Sequence, residues 1–571
     1  MSILTEGFTS LFNSPNVKKN VQAEDEIGPE RKELSLALDD KELIHLKQSW
    51  EKDWNGSDAQ KQITNKGDEN TNYWKGVQFD SALYSDNKRP LQDNAIFEAI
   101  ETFLPQATAK NPEPTVRHVG SGVVEDPLSQ GVKDVLAYFA DTGSLKLKIK
   151  DGTRNWILRY VGIWKIGFNT ETRQLETYVV DPKKLVLDPE GKIVNGQYEG
   201  ECIGERKKDT ASFLTGLFPK HKEYFKKVVD GKMGTKVDYI EWWTDEYVFW
   251  THKDKVLDKA RNFYFNYSQE EKYIDELGNE RTKKLSPINH FKSPKKPYAF
   301  LVVHSTGAMP CDDTNEMDQA LTLQDATNKR IRQIDKNADN ANAGAIVSGD
   351  NFTKEQAAEV GEALRKGNTV WVPNGDVNTA YRRDVGRDLP AYVYNSLVDY
   401  RNRLADIFGI RGSTAGNLQG ENTVRGKILA KQSDSSRMGS GVTEYIEQSA
   451  DFIYNYWTQM MFVFFTDQDF IDILGQERGM SVYQELFTNR QSVLVSVKEG
   501  SLIPQDELTQ RNEAVDLFNA GALDPLTLFE RLRFPNPEES ARKLMEFKNP
   551  GAVMPQEQAV APEAPQLPLI N

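Results

Sequence analysis

The chain has 571 residues, 38% of them hydrophobic and 27% charged; this is ordinary for a folded soluble protein and too long for one core, so two to four structural units are expected. A formal net charge of −14 argues against a protein that clamps nucleic acid through a wide basic face, though not against one that lets it slide past. No apolar run reaches the roughly 18–20 residues of a membrane span, the start MSILTEGFTSLFNSPNVKK carries no secretory pattern, and Cys202 and Cys311, the two cysteines, suit free thiols in a reducing compartment.

Residues 1–40 are polar and of mixed charge, which predicts partial order. The stretch KELIHLKQSWEKDW then puts Leu43, Leu46 and Trp50 on one helical face. Residues 55–72, rich in Asn, Gly, Asp and Lys, read as a loop. A helix is predicted within 93–114, capped by Asp93 or Asn94, with Ile96, Ile100 and Phe103 on one side and Pro105 near its end. A further helix, SQGVKDVLAYFADTGS, ends near Gly143. From Trp164 the texture changes. Residues 164–191, 238–257 and 298–306 are rich in β-formers, with a turn at Asn169–Thr172 and strand-ending turns at Asp181–Pro182 and Asp188–Pro189. The region from about 40 to 310 therefore reads as mixed, with an antiparallel sheet.

Beyond residue 312 the periodicity is helical. Met317, Ala320, Gln324, Thr327, Ile331, Ile334, Ala338 and Ala341 recur at spacings of 3 and 4, an a/d seam roughly 42 Å long at 1.5 Å per residue. Two polar members and three alanines make it too weak to stand alone. Residues 343–388 read as a small insertion: GAIVSG, a helix TKEQAAEVGEALRKG, and a strand–turn–strand piece turning at Asn374–Gly375. A helix starts near Pro390, with Val393, Leu397, Tyr400, Leu404 and Ile407 on one face and Gly409 at its C-cap.

The stretch GIRGSTAGNLQGENTVRG (409–426) follows, bare of bulky side chains. After it, Ser435, Met438, Val442, Tyr445, Ser449, Phe452 and Tyr456 keep the 3,4 spacing, and Gly439 and Gly441 predict a bend. Residues 504–532 read as a helix stopped by Gly521 and a new helix capped by Asp524 with Pro525 first. Residues 551–571 are Pro-, Ala- and Gln-rich, which predicts disorder.

Enzyme chemistry finds no footing. A phosphate-binding loop needs Gly, four residues, Gly-Lys and then Ser or Thr; here five residues separate Gly420 from Gly426–Lys427, and Ile428 follows. The six histidines, at 45, 118, 221, 252, 290 and 304, show no metal-ligand spacing. Asp312, Asp313 and Glu316 suit a helix N-terminus better than a cation. No Ser or Cys sits in a nucleophile elbow. No catalytic residue, metal or cofactor is therefore predicted. Lys329, Arg330, Arg332 and Lys336 lie mostly off the seam, interspersed with Asp325, Asp335 and Asp339. They form either a solvated, self-paired face or the wall of a wet channel; Lys329, Arg332 and Lys336 are the wall candidates.

The order of parts from 312 to 460 resembles the portal proteins of tailed double-stranded DNA bacteriophages. MDQALTLQDATNKRIRQIDKNADNA, the β-rich insertion, LPAYVYNSLVDYRNRLADIFGI, the glycine-rich loop and the long bent helix look like stem helix, clip, stem helix, tunnel loop and tunnel helix. RLADIFGIRGSTAG is similar to the family's helix–loop junction, WKIGFNTETRQLETYVVDPKKLVLDP to its wing strands, and DLFNAGALDPLTLFERL to its helical crown. The resemblance implies an α+β, portal-like fold. Its parts would be a partly ordered N-terminal segment (1–89), a wing of helices and antiparallel sheet (90–311) and a first stem helix (312–342). A clip (343–388), second stem helix (389–408), tunnel loop (409–424), tunnel helix with wing completion (425–500), crown (501–548) and disordered tail (549–571) would follow.

It also implies a non-enzymatic function: a homo-oligomeric ring, usually dodecameric, at one capsid vertex of the virion, assembled in the host cytoplasm, that passes double-stranded DNA during packaging and ejection. Implied partners are the terminase large subunit, head-completion, neck or tail proteins and the major capsid protein, with no membrane. In such a ring Arg411 and Arg425 would meet phosphates, and Ser413, Thr414, Asn417, Gln419 and Asn422 would line a polar collar. The weak seam would be completed by neighbouring subunits, and net acidity would keep the grip on DNA low. A non-conduit capsid or scaffold component, with the stretch as a mere linker, is the alternative. A nucleotide-hydrolysing motor subunit is disfavoured by the failed loop spacing.

Overall fold

Asp39 and Glu42 start the first helix reciprocally, the Glu42 carboxylate accepting from the Asp39 N–H at 2.9 Å. This helix, α1 (Asp40–Trp54), buries Leu43, Trp50 and Trp54. A computed structural model of the chain describes residues 39–79, 90–119, 126–262, 269–274, 280–285, 290–291, 295–341, 344–350, 352–365, 370–372, 377–384, 389–410, 439–488, 492–502, 514–515, 517–532, 534 and 536–548. They form two units, divided between Ile503 and Pro504, in a mixed α+β fold.

Within residues 55–72, read above as a loop, the chain is helical. A turn over Asp58–Lys61 capped by Ser57 and a π-helical turn over Gln62–Lys66 lead into α2 (Gly67–Trp74). Burial overrides composition there. Ile63 enters the core, and the buried Asn70 amide donates to Leu158 O and to the Tyr160 hydroxyl, both at 3.2 Å. Helix α3 (Ala95–Ala107) is capped by Asn94 and buries Ile96, Ile100 and Phe103 as expected. Strand β1 (Pro114–His118) precedes α4 (Pro127–Thr142), which ends at Gly143.

The next helix, α5 (Leu145–Arg159), has no counterpart in the sequence reading, because LKLKIKDGTRNWILR hides its apolar face among lysines. Leu145, Ile149 and Trp156 are nevertheless buried. Helix α5 lies on strand β2 (Gly162–Asn169). A Cβ at Gly152 would stand 2.3 Å from the Trp164 ring, so only glycine permits this approach.

Two five-stranded antiparallel sheets follow. One joins β3 (Gln174–Val179), β2, β13 (Tyr298–Leu301), β6 (Gln197–Glu199) and β5 (Lys192–Val194), in that order. The other joins β10 (Lys255–Arg261), β9 (Tyr247–His252), β8 (Lys236–Trp243), β7 (Ile203–Thr210) and β4 (Leu185–Leu187). Strands β11 (Gln269–Ile274) and β12 (Glu280–Leu285) pair separately. Asp181 and Asp188 each accept a backbone N–H two residues on, at 3.1 and 3.0 Å, which makes both Asp-Pro sites the expected turns. Between β7 and β8 the chain leaves the sheet for α6 (Ala211–Leu217) and α7 (Lys222–Val228).

The two sheets meet over buried charge. Glu205 and Glu241 stand opposite each other on β7 and β8, an arrangement that costs stability when unbalanced. Lys165, from β2 of the other sheet and 3% exposed, donates to both, at 2.8 and 2.7 Å. Lys207 also pairs with Glu241, Tyr298 donates to Glu205 at 2.9 Å, and Trp243 Nε1 donates to Glu241 at 2.5 Å. Burial alone would raise the Glu241 carboxyl, but Lys165 and Lys207 outweigh it and hold it at about 2. The cluster contains two carboxylates and two ammonium groups, all hydrogen-bonded.

Helix α8 (Glu316–Ala341) realises the long helix expected over 315–342. Strand β14 (Gly344–Val347), helix α9 (Lys354–Arg365), strand β15 (Tyr381–Asp384) and helix α10 (Ala391–Ile407) follow. A π-helical turn at Gly439–Thr443, where two glycines predict a bend, opens α11 (Glu444–Phe464). Tyr445 is 38% exposed, while Ile446, Ala450 and Ile453 are buried, so the buried face of α11 is wider than the 3,4 seam. Helices α12 (Asp467–Leu474) and α13 (Gln476–Tyr483) lead to β16 (Val493–Val497), which pairs with β1.

In the second unit, α14 (Pro525–Arg531) packs with α15 (Pro537–Lys548). Asp524 caps α14 by accepting from Leu526 and Thr527 N–H groups at 2.9 and 3.0 Å, and Gly521 stands at φ +73°. The predicted stop and cap are both present.

Candidate functional site

The seam of α8 divides in two. Met317, Ala320, Gln324 and Thr327 are fully buried, and their polarity is used inside the chain. Gln324 donates to Asp93 O at 2.5 Å and accepts from Ile96 N at 3.1 Å, so it satisfies the start of α3. Thr327 donates to Leu323 O at 2.8 Å, and Asn328 accepts from Asp93 N at 3.1 Å. These positions need no neighbouring subunit. Farther along, Ile331 and Ile334 are half-buried and Ala338 is exposed.

Helix α10 packs along α8 and touches α3. It buries Val393 and Leu404, leaves Leu397, Tyr400 and Ile407 half-buried, and exposes Tyr392, Tyr394 and Val398 at 65, 48 and 58%. Arg401 ties it to α3 through Glu98 at 2.9 Å, with Asp93 at 3.4 Å.

Between the two helices, β14 and β15 pair antiparallel from Gly344↔Asp384 to Val347↔Tyr381. Phe352, Val360 and Ala380 form a small core there with Val347, Val370 and Val372. This corrects the strand–turn–strand reading of the insertion. Residues 377–380 are a helical turn, and the strand after them pairs with β14 some 37 positions upstream. Burial of Ala380 in the small core favours the distant pairing over a local hairpin. Asn374 and Gly375 lie outside the described residues.

The glycine-rich stretch, with Arg411, Ser413, Thr414, Asn417, Gln419, Asn422 and Arg425, also lies outside them, as do Ser435 and Met438. Its two flanks are described. On one side Gly409 takes φ +69°, Ile410 N donates to Ala405 O at 2.9 Å, and the buried Phe408 meets Phe103 of α3 edge-on at 6.5 Å. On the other, the turn Gly439–Thr443 packs on α3 as well. The described residues on both sides of the stretch therefore contact one helix.

Of the wall candidates, Lys329 and Lys336 are exposed. Arg332 is half-buried, its Nε donating to Asn328 O at 3.0 Å. Asp325 accepts from the Tyr73 hydroxyl at 2.8 Å, so one of the interspersed acids serves packing rather than a helix pair. The acidic trio divides its roles. Asn315, accepting from Met317 N at 3.0 Å, caps α8. Asp312 turns inward, accepting from Val303 N, His304 N and Trp156 Nε1 at 2.8, 2.7 and 2.5 Å. Burial, outweighing these bonds, pushes its carboxyl up to about 6. Glu316 meets His304 at 3.1 Å, which together raise the imidazole above its usual range.

Among the described residues no group of three or more His, Cys, Asp or Glu side chains converges as a metal site, and no helix is long and apolar enough to cross a membrane. The chain matches no known protein-family signature, and no curated protein is significantly similar to it in sequence.

Proposed function

We propose that the chain is the subunit of a portal ring, a DNA conduit at one capsid vertex, with the glycine-rich stretch as a collar around the duplex. The observation that carries this reading is that the described residues on either side of the glycine-rich stretch, Phe408 and the turn Gly439–Thr443, both meet one helix, α3, which also packs on α8 and α10. A polar, glycine-rich segment between such flanks would line an axis without carrying the load of the fold. Exposed Tyr392, Tyr394 and Val398 on α10, with the half-buried Ile331 and Ile334 of α8, give apolar surface that neighbouring copies would cover. Lys329 and Lys336 would be sparse cations on an acidic wall, few enough to let phosphates pass.

In this reading the ring is most simply a dodecamer. The terminase large subunit, then head-completion, neck or tail proteins, dock on it in turn, and the major capsid protein surrounds it. No group on the chain is assigned catalysis. Replacing residues 413–422 by a short Gly-Ser linker should leave heads assembling while packaged DNA falls sharply. Full heads at the wild-type frequency would overturn the collar.

A further inference from the structure

The net charge of −14 hides a local reversal. Between residues 211 and 236 the chain carries six lysines against Glu223 and Asp230, a net charge of +4. These residues comprise the lobe of α6 and α7 between β7 and β8, with Lys236 as the first residue of β8. Aromatic packing fixes it to the sheet: Phe218 lies 6.5 Å from Phe225, 6.4 Å from Tyr239 and 6.2 Å from Trp250.

The lysines stay in solvent. Lys226 pairs with Glu223 at 2.7 Å, but Lys220, Lys222, Lys227, Lys232 and Lys236 are exposed and make no ion pair among the described residues. Beside them is a cleft of about 500 Å³ between the lobe, α1 and β10, whose far side adds Lys41 and Lys255. The cleft also carries three carboxylates, which its four lysines outnumber by one. Asp40 holds Lys259 at 2.9 Å, Asp254 accepts from Gln48 at 3.1 Å, and Asp258 accepts the Lys259 N–H at 3.0 Å.

We propose that this lobe is a docking surface for the phosphate backbone of duplex DNA, lying outside any channel. A protein partner fits it poorly, since protein interfaces deplete lysine and favour aromatic anchors, whereas the one large apolar side chain exposed on α7 is Val228, at 38%. Lysines without a planar guanidinium suit phosphates as point charges and carry no bidentate base readout. Binding through them is sequence-independent and governed by counterion release. The inference stands whether or not the chain forms a ring.

Covalently closed circular duplex DNA separates the two ideas, because it cannot thread a closed ring. The full chain should retain two circular DNAs of unrelated sequence equally. A log–log salt slope of about −4 to −5 is expected, about 0.9 for each of five lysine–phosphate contacts. The triple variant Lys222→Glu, Lys227→Glu, Lys232→Glu, all at exposed positions, should shed about 3 from that slope and lose most retention at 50 mM salt, with its oligomeric state unchanged. Reversal of the exposed Lys146 and Lys192 should leave the slope as it is. No retention by the wild type at low salt, an unchanged slope in the triple variant, or stronger binding to a polyglutamate peptide than to DNA would each overturn the proposal.

Discussion

Lys165→Met is expected to destabilise the first unit by about 3–5 kcal/mol, the usual cost of removing one partner from a buried ion cluster. The substitution keeps the apolar stem and deletes the ammonium that faces both Glu205 and Glu241. Two carboxylates opposite each other across β7 and β8 then share Lys207 alone. All ten tryptophans precede residue 504, so intrinsic fluorescence during urea unfolding reports this unit. Adding Glu241→Gln to the variant restores charge balance and should recover about half of the loss. A loss under about 1 kcal/mol for Lys165→Met alone would mean that the cluster is not the joint between the sheets.

The cluster also sets an acid limit. The folded Glu241 carboxyl stands at about 2, below its ordinary 4.5, so between those values the unfolded chain binds more protons. Its contribution is present in full above about pH 4.5 and is lost as pH falls toward 2. The variant should show a shallower fall over that window.

Asp312→Ala is expected to cost about 3–6 kcal/mol, because it strands the buried indole N–H and two part-buried backbone N–H donors, each at roughly 1–3 kcal/mol with the backbone pair at the low end. Those donors belong to Val303, His304 and Trp156, so the loss falls where the core meets the start of α8. Asp312→Asn retains an acceptor for the two backbone groups but turns an amide toward the indole, and should cost less. The pH trend has the opposite sign to that of Glu241. Asp312 is raised from 3.8 to about 6, so the folded state binds the extra proton, and this group's contribution weakens as pH rises from about 4 to 6. Urea midpoints of both variants across that range check it. Equal midpoints for wild type and Asp312→Ala would refute the anchoring role.

Legibility followed the range of the interaction that decided each segment. Helix α8, helix α10 and the Gly409 stop are set by local spacing, and the sequence pattern found them. Residues 58–74 and α5 are helical because Ile63, Asn70 and Trp156 find distant partners, and no local pattern announces that. The insertion departs from the local hairpin pattern for the same reason, since β15 pairs with a strand beyond an intervening helix rather than within a hairpin of its own. At the candidate site the polar seam members Gln324 and Thr327 suggest, from spacing alone, a weakness that other subunits mend; Gln324 instead bonds the start of α3, and Thr327 bonds within α8. The lysine lobe was legible in principle. A charge count over a window of 26 residues shows it, where the total of −14 averages it away.

The central claim is that copies of this chain close into a ring around an axis lined by residues 411–425. Electron microscopy of the purified full-length protein over a range of concentration and salt tests it most directly. The account predicts closed rings of uniform subunit number with an open central channel, and it is contradicted by a protein that remains monomeric or forms only open, irregular assemblies under every condition.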